Sequence, residues 1–128
     1  MGARRAELVV ALQSALMRAV GEFGEDPAFE PHRARVLATA AALDYVLMLA
    51  SGTAGVRIPE RDAERAMREG IARGVDDLLA AAGAIAKSGT PPARAFAREA
   101  GASLRAVVRA EGLESDERTF GLIALANA

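Results

Sequence analysis

Four short segments containing glycine or proline interrupt the chain and leave stretches of helical periodicity between them. These breaks cover residues 24–31, 51–59, 88–92 and 112–115. Glycine and proline disfavour the interior of a helix, so each break marks the end of one element and the start of the next. Polar and apolar residues nowhere alternate with a period of two over a useful length. The sequence therefore predicts an all-α fold without a sheet.

The stretches between the breaks predict four main helices and a short fifth one. The expected ranges are residues 3–23, 32–50, 60–87 and 92–111, and the short helix is expected to begin near Ser115. For this last segment, around Phe120, an extended conformation is the alternative. A chain of 128 residues is long enough for one domain with a substantial core. We therefore expect a single domain, residues 1–128, folded as a compact antiparallel bundle of four main helices with a short C-terminal helix.

The composition supports close helix packing and excludes thiol chemistry. Alanine accounts for 31 of the 128 residues, and aromatic residues are only 4%. Alanine has the highest helix propensity and loses no side-chain entropy on burial, so we expect an aliphatic core with closely spaced helices. Cysteine is absent from the sequence. This absence excludes disulfides, thiolate metal sites and cysteine nucleophiles.

Charge and hydropathy favour a cytoplasmic protein without a membrane span. The formal net charge of −1 argues against a dedicated nucleic-acid-binding protein, which is usually basic. No secretory signal is recognisable near the N-terminus. The longest apolar run, Val36–Ala50, has 15 residues and contains Asp44. A membrane-spanning helix needs about 20 apolar residues, so this run is expected to be too short.

Four arginines follow one line along the fourth helix. Arg94, Arg98, Arg105 and Arg109 are separated by 4, 7 and 4 residues. At about 100° per residue they occupy a stripe about 60° wide, and Gly101 is expected in the same stripe. The opposite face carries the apolar residues expected to enter the core: Phe96, Ala97, Ala100, Leu104, Val107 and Val108. We call the four arginines the arginine ridge.

The sequence leaves three interpretations of the arginine ridge open. Its arginines pair with acidic residues of the third helix or of the loop near Glu22–Asp26, within one chain or across a dimer. Alternatively, they bind an anionic partner such as a phosphate, a nucleic acid or an acidic protein. The third interpretation is a simple solvated face. Nucleic-acid binding is disfavoured because the sequence has one tyrosine and no tryptophan for base stacking.

Asp44 is the most unusual polar residue of the second helix. Apolar residues occupy nearly every side of that helix, and a helix of this kind is normally buried. A buried Asp44 would have to be paired, hydrogen-bonded or protonated, and with Tyr45 and Arg33 it could anchor a small ligand between helices. The alternative is that Asp44 lies at the edge of the buried face and contacts an arginine or water. Met48 and Leu49 are candidates for an interaction surface.

Other polar residues are more simply explained by the packing and solvation of a bundle. The single histidine, His32, cannot form a multi-histidine metal site. Asp76 and Asp77 diverge by about 100° on the third helix and are expected to belong to a solvated face of ion pairs. Gly70 and Gly74 predict a close helix–helix contact or a kink. Residues 51–56 contain two glycines but lack the lysine and the preceding strand of a phosphate-binding loop, so we expect no cofactor and no metal.

These patterns favour a non-enzymatic helical module that self-associates or docks on a partner protein. The argument is the apolar excess of the second helix and of the segment Phe120–Leu125, which exceeds what a four-helix core can hold. The alternative is a bundle that binds a small apolar or amphipathic ligand between helices, with Asp44 and Tyr45 as polar anchors. A third hypothesis is an enzyme that uses Arg33, Arg35 and Asp44. No convergent polar cluster in the sequence supports catalysis.

Overall fold

The part of the chain that the structure describes folds into five helices, as the sequence predicts. The structure, a computed structural model, describes residues 2–53, 55 and 57–128. Its helices are α1 (Gly2–Phe23), α2 (Glu30–Ser51), α3 (Glu60–Ala86), α4 (Pro91–Glu111) and α5 (Asp116–Ala126). The described residues contain no strand. The extended alternative for the segment around Phe120 is therefore wrong, and the short C-terminal helix is confirmed.

Helices α4 and α5 begin at residues with capping side chains, and α4 ends at a glycine. Thr90 caps α4 by accepting a hydrogen bond at its hydroxyl from the Ala93 amide, 3.3 Å away, and prolines follow in the first turn. Ser115 caps α5 in the same way, with its hydroxyl 3.2 Å from the Arg118 amide. Gly112 ends α4 in the left-handed conformation, with φ 64°. Each of these residues lies in a break that the sequence already marks.

The four main helices form an antiparallel bundle around one core. Each of α1, α2 and α4 packs on α3, α1 packs on α2, and α5 packs against α3 and α4. The apolar face predicted for α4 is buried in full, and α3 buries Met67, Ile71, Val75, Leu78 and Ile85. The side chains of Phe29, Phe96 and Leu16 are among the largest that are fully buried.

Close contacts in the bundle explain the two glycines in the middle of α3. A Cβ atom on Gly70 would lie 2.9 Å from Cδ2 of Leu43 in α2, and one on Gly74 would lie 3.3 Å from Cδ1 of Leu12 in α1. The partners of this glycine pair are therefore the helices of its own chain. The expectation that Gly101 lies exposed among the arginines of the ridge is wrong, because Gly101 is buried. A Cβ atom on Gly101 would lie 3.2 Å from Cβ of Leu125 in α5.

Candidate functional site

One side of α2 carries exposed apolar residues along its whole length. Only Val36, Thr39, Ala40 and Leu43 are buried in this helix. The opposite side is exposed although it is mostly apolar: Leu37 is 39%, Tyr45 53% and Met48 40% accessible. We call this side the outer stripe; its residues are Ala34, Leu37, Ala38, Ala41, Tyr45 and Met48. The expectation that α2 is buried all round is therefore wrong for the single chain.

Helix α1 extends this apolar surface. The side-chain amide of Gln13 donates a hydrogen bond to the Ala40 carbonyl at 3.2 Å, which fixes the level of one helix against the other. In this antiparallel pair Met17 then lies level with the N-terminal half of the outer stripe, and Val10 lies level with its C-terminal half. Both side chains are nearly half exposed, at 47% and 48%. We call the outer stripe together with Val10 and Met17 the outer face.

Two opposite charges flank the outer stripe on the side of α1. Arg33 and Asp44 are both exposed, and each lies within about 40° of Ala40 around the helix axis. Neither side chain forms an ion pair within 4.0 Å in the described part of the chain. Of the two alternatives for Asp44, the structure therefore gives the exposed one, without an arginine partner among the described residues.

The buried carboxylate of the bundle belongs to Asp77, not to Asp44. Asp77 is only 4% exposed. One of its carboxylate oxygens lies 2.7 Å from Nε of Arg35, and the other accepts a hydrogen bond from the hydroxyl of Thr39. The expectation that Asp77 belongs to a solvated face is thus wrong, because α2 covers this side of α3. Arg35 and Thr39 are four residues apart, so both reach α3 from the same side of α2.

A polar cleft of about 580 Å³ opens beside this ion pair, between α2, α3 and the start of α5. Asp76 lines it and holds Arg118 through two hydrogen bonds, of 2.8 and 3.2 Å. The hydrogen bond to Asp76 raises the pKa of Arg118. His32 is half-buried and also lines the cleft. Every buried side-chain nitrogen or oxygen among the described residues has a hydrogen-bond partner, so the cleft contains no buried polar atom left unsatisfied.

A second, more apolar groove of about 690 Å³ lies where the end of α2 meets the starts of α1 and α3. Met48 and Leu49 line it together with Met67 of α3. Leu49 is half-buried there, whereas Met48 belongs also to the outer stripe. The proposed ligand anchors Arg33, Asp44 and Tyr45 line neither this groove nor the polar cleft, nor a smaller cavity of about 170 Å³ beside Thr39. All three anchors lie on the surface instead of between helices.

The arginine ridge is exposed along α4. Within the described residues, Arg94, Arg98, Arg105 and Arg109 have no carboxylate within 4.0 Å. Arg98 donates one hydrogen bond, 3.4 Å long, to the Ala128 carbonyl. Beside the ridge, α5 buries Leu122 and Leu125 but leaves Phe120 70% and Ile123 51% exposed. Of the arginines that do pair with acids, Arg5 contacts Glu111 at 2.9 Å and Arg18 contacts Glu22 and Glu99.

The described residues group no metal ligands, and one of their helices has the length and composition of a membrane span. Among residues 2–53, 55 and 57–128, no three acidic or histidine side chains are grouped so as to hold a metal ion. Helix α2 is long and apolar enough to cross a membrane, judged by length and composition alone. The expectation that the apolar run Val36–Ala50 is too short for a membrane span is therefore wrong, because α2 continues beyond that run to 22 residues. Core helices of soluble proteins meet the same criterion.

Comparison with protein-family models, with curated proteins and with solved structures found no match for this chain.

Proposed function

We propose that this protein is a self-associating helical module and that the outer face is the surface through which it associates. The observation that carries the proposal is the exposed outer stripe of α2, with Leu37, Tyr45 and Met48 between 39% and 53% accessible. Contiguous apolar surface of this kind on a folded domain marks an interaction site more often than a solvated face. The module needs no catalytic group for this role.

The spacing of the outer stripe is that of a helix-pairing seam. Ala34, Ala38, Ala41, Tyr45 and Met48 follow one another at intervals of 4, 3, 4 and 3 residues. This alternation keeps apolar side chains on one line that a second helix can follow, as in coiled coils. The three alanines allow two helix axes to approach to about 8 Å, the short end of the usual range. The stripe thus supports packing against a helix better than binding of a compact small molecule.

The energetics favour a protein partner over a lipid one. Covering the exposed half of a large apolar side chain stabilises a complex by about 1 kcal/mol. The outer face supplies five such side chains: Val10, Met17, Leu37, Tyr45 and Met48. In a bilayer, by contrast, Asp44 near the middle of α2 would cost about 3 kcal/mol. A protein interface can instead set a charge of opposite sign beside Asp44, which offsets the cost.

The proposal is tested by sedimentation velocity of the wild type, Met48→Glu and Ile123→Glu, from low micromolar to several hundred micromolar protein. The wild type is expected to sediment as a multiple of the 13.3 kDa chain. Met48→Glu should lower the association constant at least about tenfold, because it places a carboxylate in the seam. Ile123→Glu is the matched control. It adds the same charge at an exposed apolar residue of α5, away from the outer face, and should associate like the wild type.

Two outcomes contradict the proposal. A wild type that stays at 13.3 kDa over the whole range excludes self-association, and a Met48→Glu variant that associates as well as the wild type excludes this face. Binding of the wild type to anionic lipid vesicles, lost in Met48→Glu while the free protein remains a monomer, would assign the outer face to a membrane surface instead.

A further inference from the structure

We infer that the outer face takes a second copy of this chain, with the two α2 helices antiparallel about a two-fold axis and Arg33 opposite Asp44 of the partner subunit. The inference rests on the proposed self-association and adds its geometry. It starts from the two charges that flank the outer stripe. Both are exposed, and in the described part of the chain neither has an ion-pair partner.

Arg33 and Asp44 occupy nearly the same angular position on α2. They are eleven residues apart, and three helical turns take about 10.8 residues, so their directions differ by only about 20°. Both therefore stand on the same flank of the outer stripe, about 16 Å apart along the helix. A helix with a positive and a negative charge on one flank is complementary to itself only when the second copy runs in the opposite direction.

Symmetry turns this arrangement into two ion pairs at once. In an antiparallel helix pair about a two-fold axis, the residue numbers of every facing pair add up to the same value. Each flank of one helix also meets the same flank of the partner helix. With the axis between Ala38 and Thr39, Arg33 faces the partner's Asp44, and Asp44 faces the partner's Arg33. In a parallel pair about a two-fold axis, each flank would meet the opposite flank of the partner, so Arg33 and Asp44 would find no complementary charge there.

The same register also brings the apolar seam together. The axis passes beside Ala38, where a small side chain allows the closest approach of the two backbones. Ala41 of one copy falls level with residue 36 of the other, between its Ala34 and Ala38, so the alanines interdigitate. Tyr45 falls level with residue 32 and Met48 with residue 29, so the large side chains cover the first turns of the partner's α2. The paired segment is residues 29–48, which includes the whole outer stripe.

Substitutions that reverse the charge of Arg33 or Asp44 test this register independently of the association itself. Arg33→Glu leaves two acidic residues on the flank, and Asp44→Arg leaves two arginines, so either variant alone faces like charges. Each should dimerise at least about tenfold more weakly than the wild type, since two attractive pairs become repulsive. An equimolar mixture of the two variants should form a heterodimer of near wild-type affinity, because both facing pairs are then of opposite charge. The double variant Arg33→Glu/Asp44→Arg should form a homodimer for the same reason.

The measurement is native mass spectrometry with one variant isotopically labelled, supported by sedimentation. Arg105→Glu on the exposed side of α4 is the matched control and should dimerise like the wild type. Two results would overturn the antiparallel register but keep the self-associating module, provided that the wild type dimerises. In the first, the single variants dimerise as well as the wild type; in the second, their mixture shows no preference for the heterodimer. A wild type that remains monomeric throughout overturns both.

Discussion

The carboxylate of Asp77 lies under α2 against Arg35, whose side chain is itself 74% exposed. Arg35 therefore keeps most of its hydration, whereas the Asp77 carboxylate that it compensates has lost nearly all of its hydration. The Thr39 hydroxyl donates a hydrogen bond to the second oxygen. A buried charge with two such partners is tolerated, and removing one partner exposes the full desolvation penalty of the other. This contact joins α2 to α3 at a defined height.

Arg35→Ala should destabilise the fold by about 1–3 kcal/mol, less than for a pair buried on both sides, because Arg35 is mostly hydrated. Urea denaturation measures the change. Arg105→Ala, which removes an exposed arginine without an ion pair among the described residues, should change the free energy of unfolding by no more than about 0.5 kcal/mol. The double variant Arg35→Ala/Asp77→Asn should regain part of the loss, since no unpaired charge remains. If Arg35→Ala has the same free energy of unfolding as the wild type, water replaces the guanidinium at no cost.

At the scale of single elements, the sequence predicted the helices well because their signals are local. Breaks at Gly24, Gly52, Gly89 and Gly112 and the apolar period between them place each helix end within about two residues. Capping by Thr90 and Ser115 depends on only three or four neighbouring residues. The buried faces of α3 and α4 follow from periodicity in the same way.

Burial of individual polar residues was predicted poorly because it depends on which helices meet. Asp76 and Asp77 are neighbours in a charged helix, yet only Asp77 turns toward α2. Asp44 is surrounded in sequence by apolar residues, yet its own position on the helix faces outward. The sequence does carry one signal for the polar partner of α2: Arg35 and Thr39 are polar residues four apart on a mostly apolar helix, so they share one face toward the next helix.

The glycines of α3 provide a prediction at the scale of the element. A Cβ atom on Gly83 would meet nothing within 4 Å, whereas one on Gly70 would lie 2.9 Å from Cδ2 of Leu43, a residue only 1% exposed. Gly83→Ala should therefore stabilise the protein by about 0.5–1 kcal/mol through helix propensity. Gly70→Ala should lose that gain, since a packed leucine must move, which typically costs about 1–3 kcal/mol. Thermal unfolding of the two variants compares them within one helix, and equal gains would show that Leu43 has room to move.

At the scale of the whole molecule, the apolar surface left by the bundle is unevenly distributed. The interior holds the apolar faces of α3 and α4 in full, while α2 buries only one side. The cationic surface lies elsewhere, on α4, where the exposed arginines of the ridge favour hydration and keep that side solvated. The molecule thus has an apolar stripe along α2 and a cationic side on α4, and α5 leaves Phe120 and Ile123 exposed beside that cationic side. In the proposed self-association the outer face is covered and the cationic side stays hydrated.

Stability should consequently depend on protein concentration, because a partner that binds only the folded chain stabilises it by mass action. For a dimer well above its dissociation constant, a hundredfold rise in concentration adds about 1.4 kcal/mol per chain, which corresponds to a rise in Tm of roughly 5 °C for a domain of this size. Differential scanning calorimetry at two concentrations measures it. Met48→Glu should show a smaller difference in Tm between the two concentrations than the wild type, and Ile123→Glu should follow the wild type. If the wild type also melts at one temperature, its fold is complete in the single chain and the exposed side of α2 contributes nothing to stability.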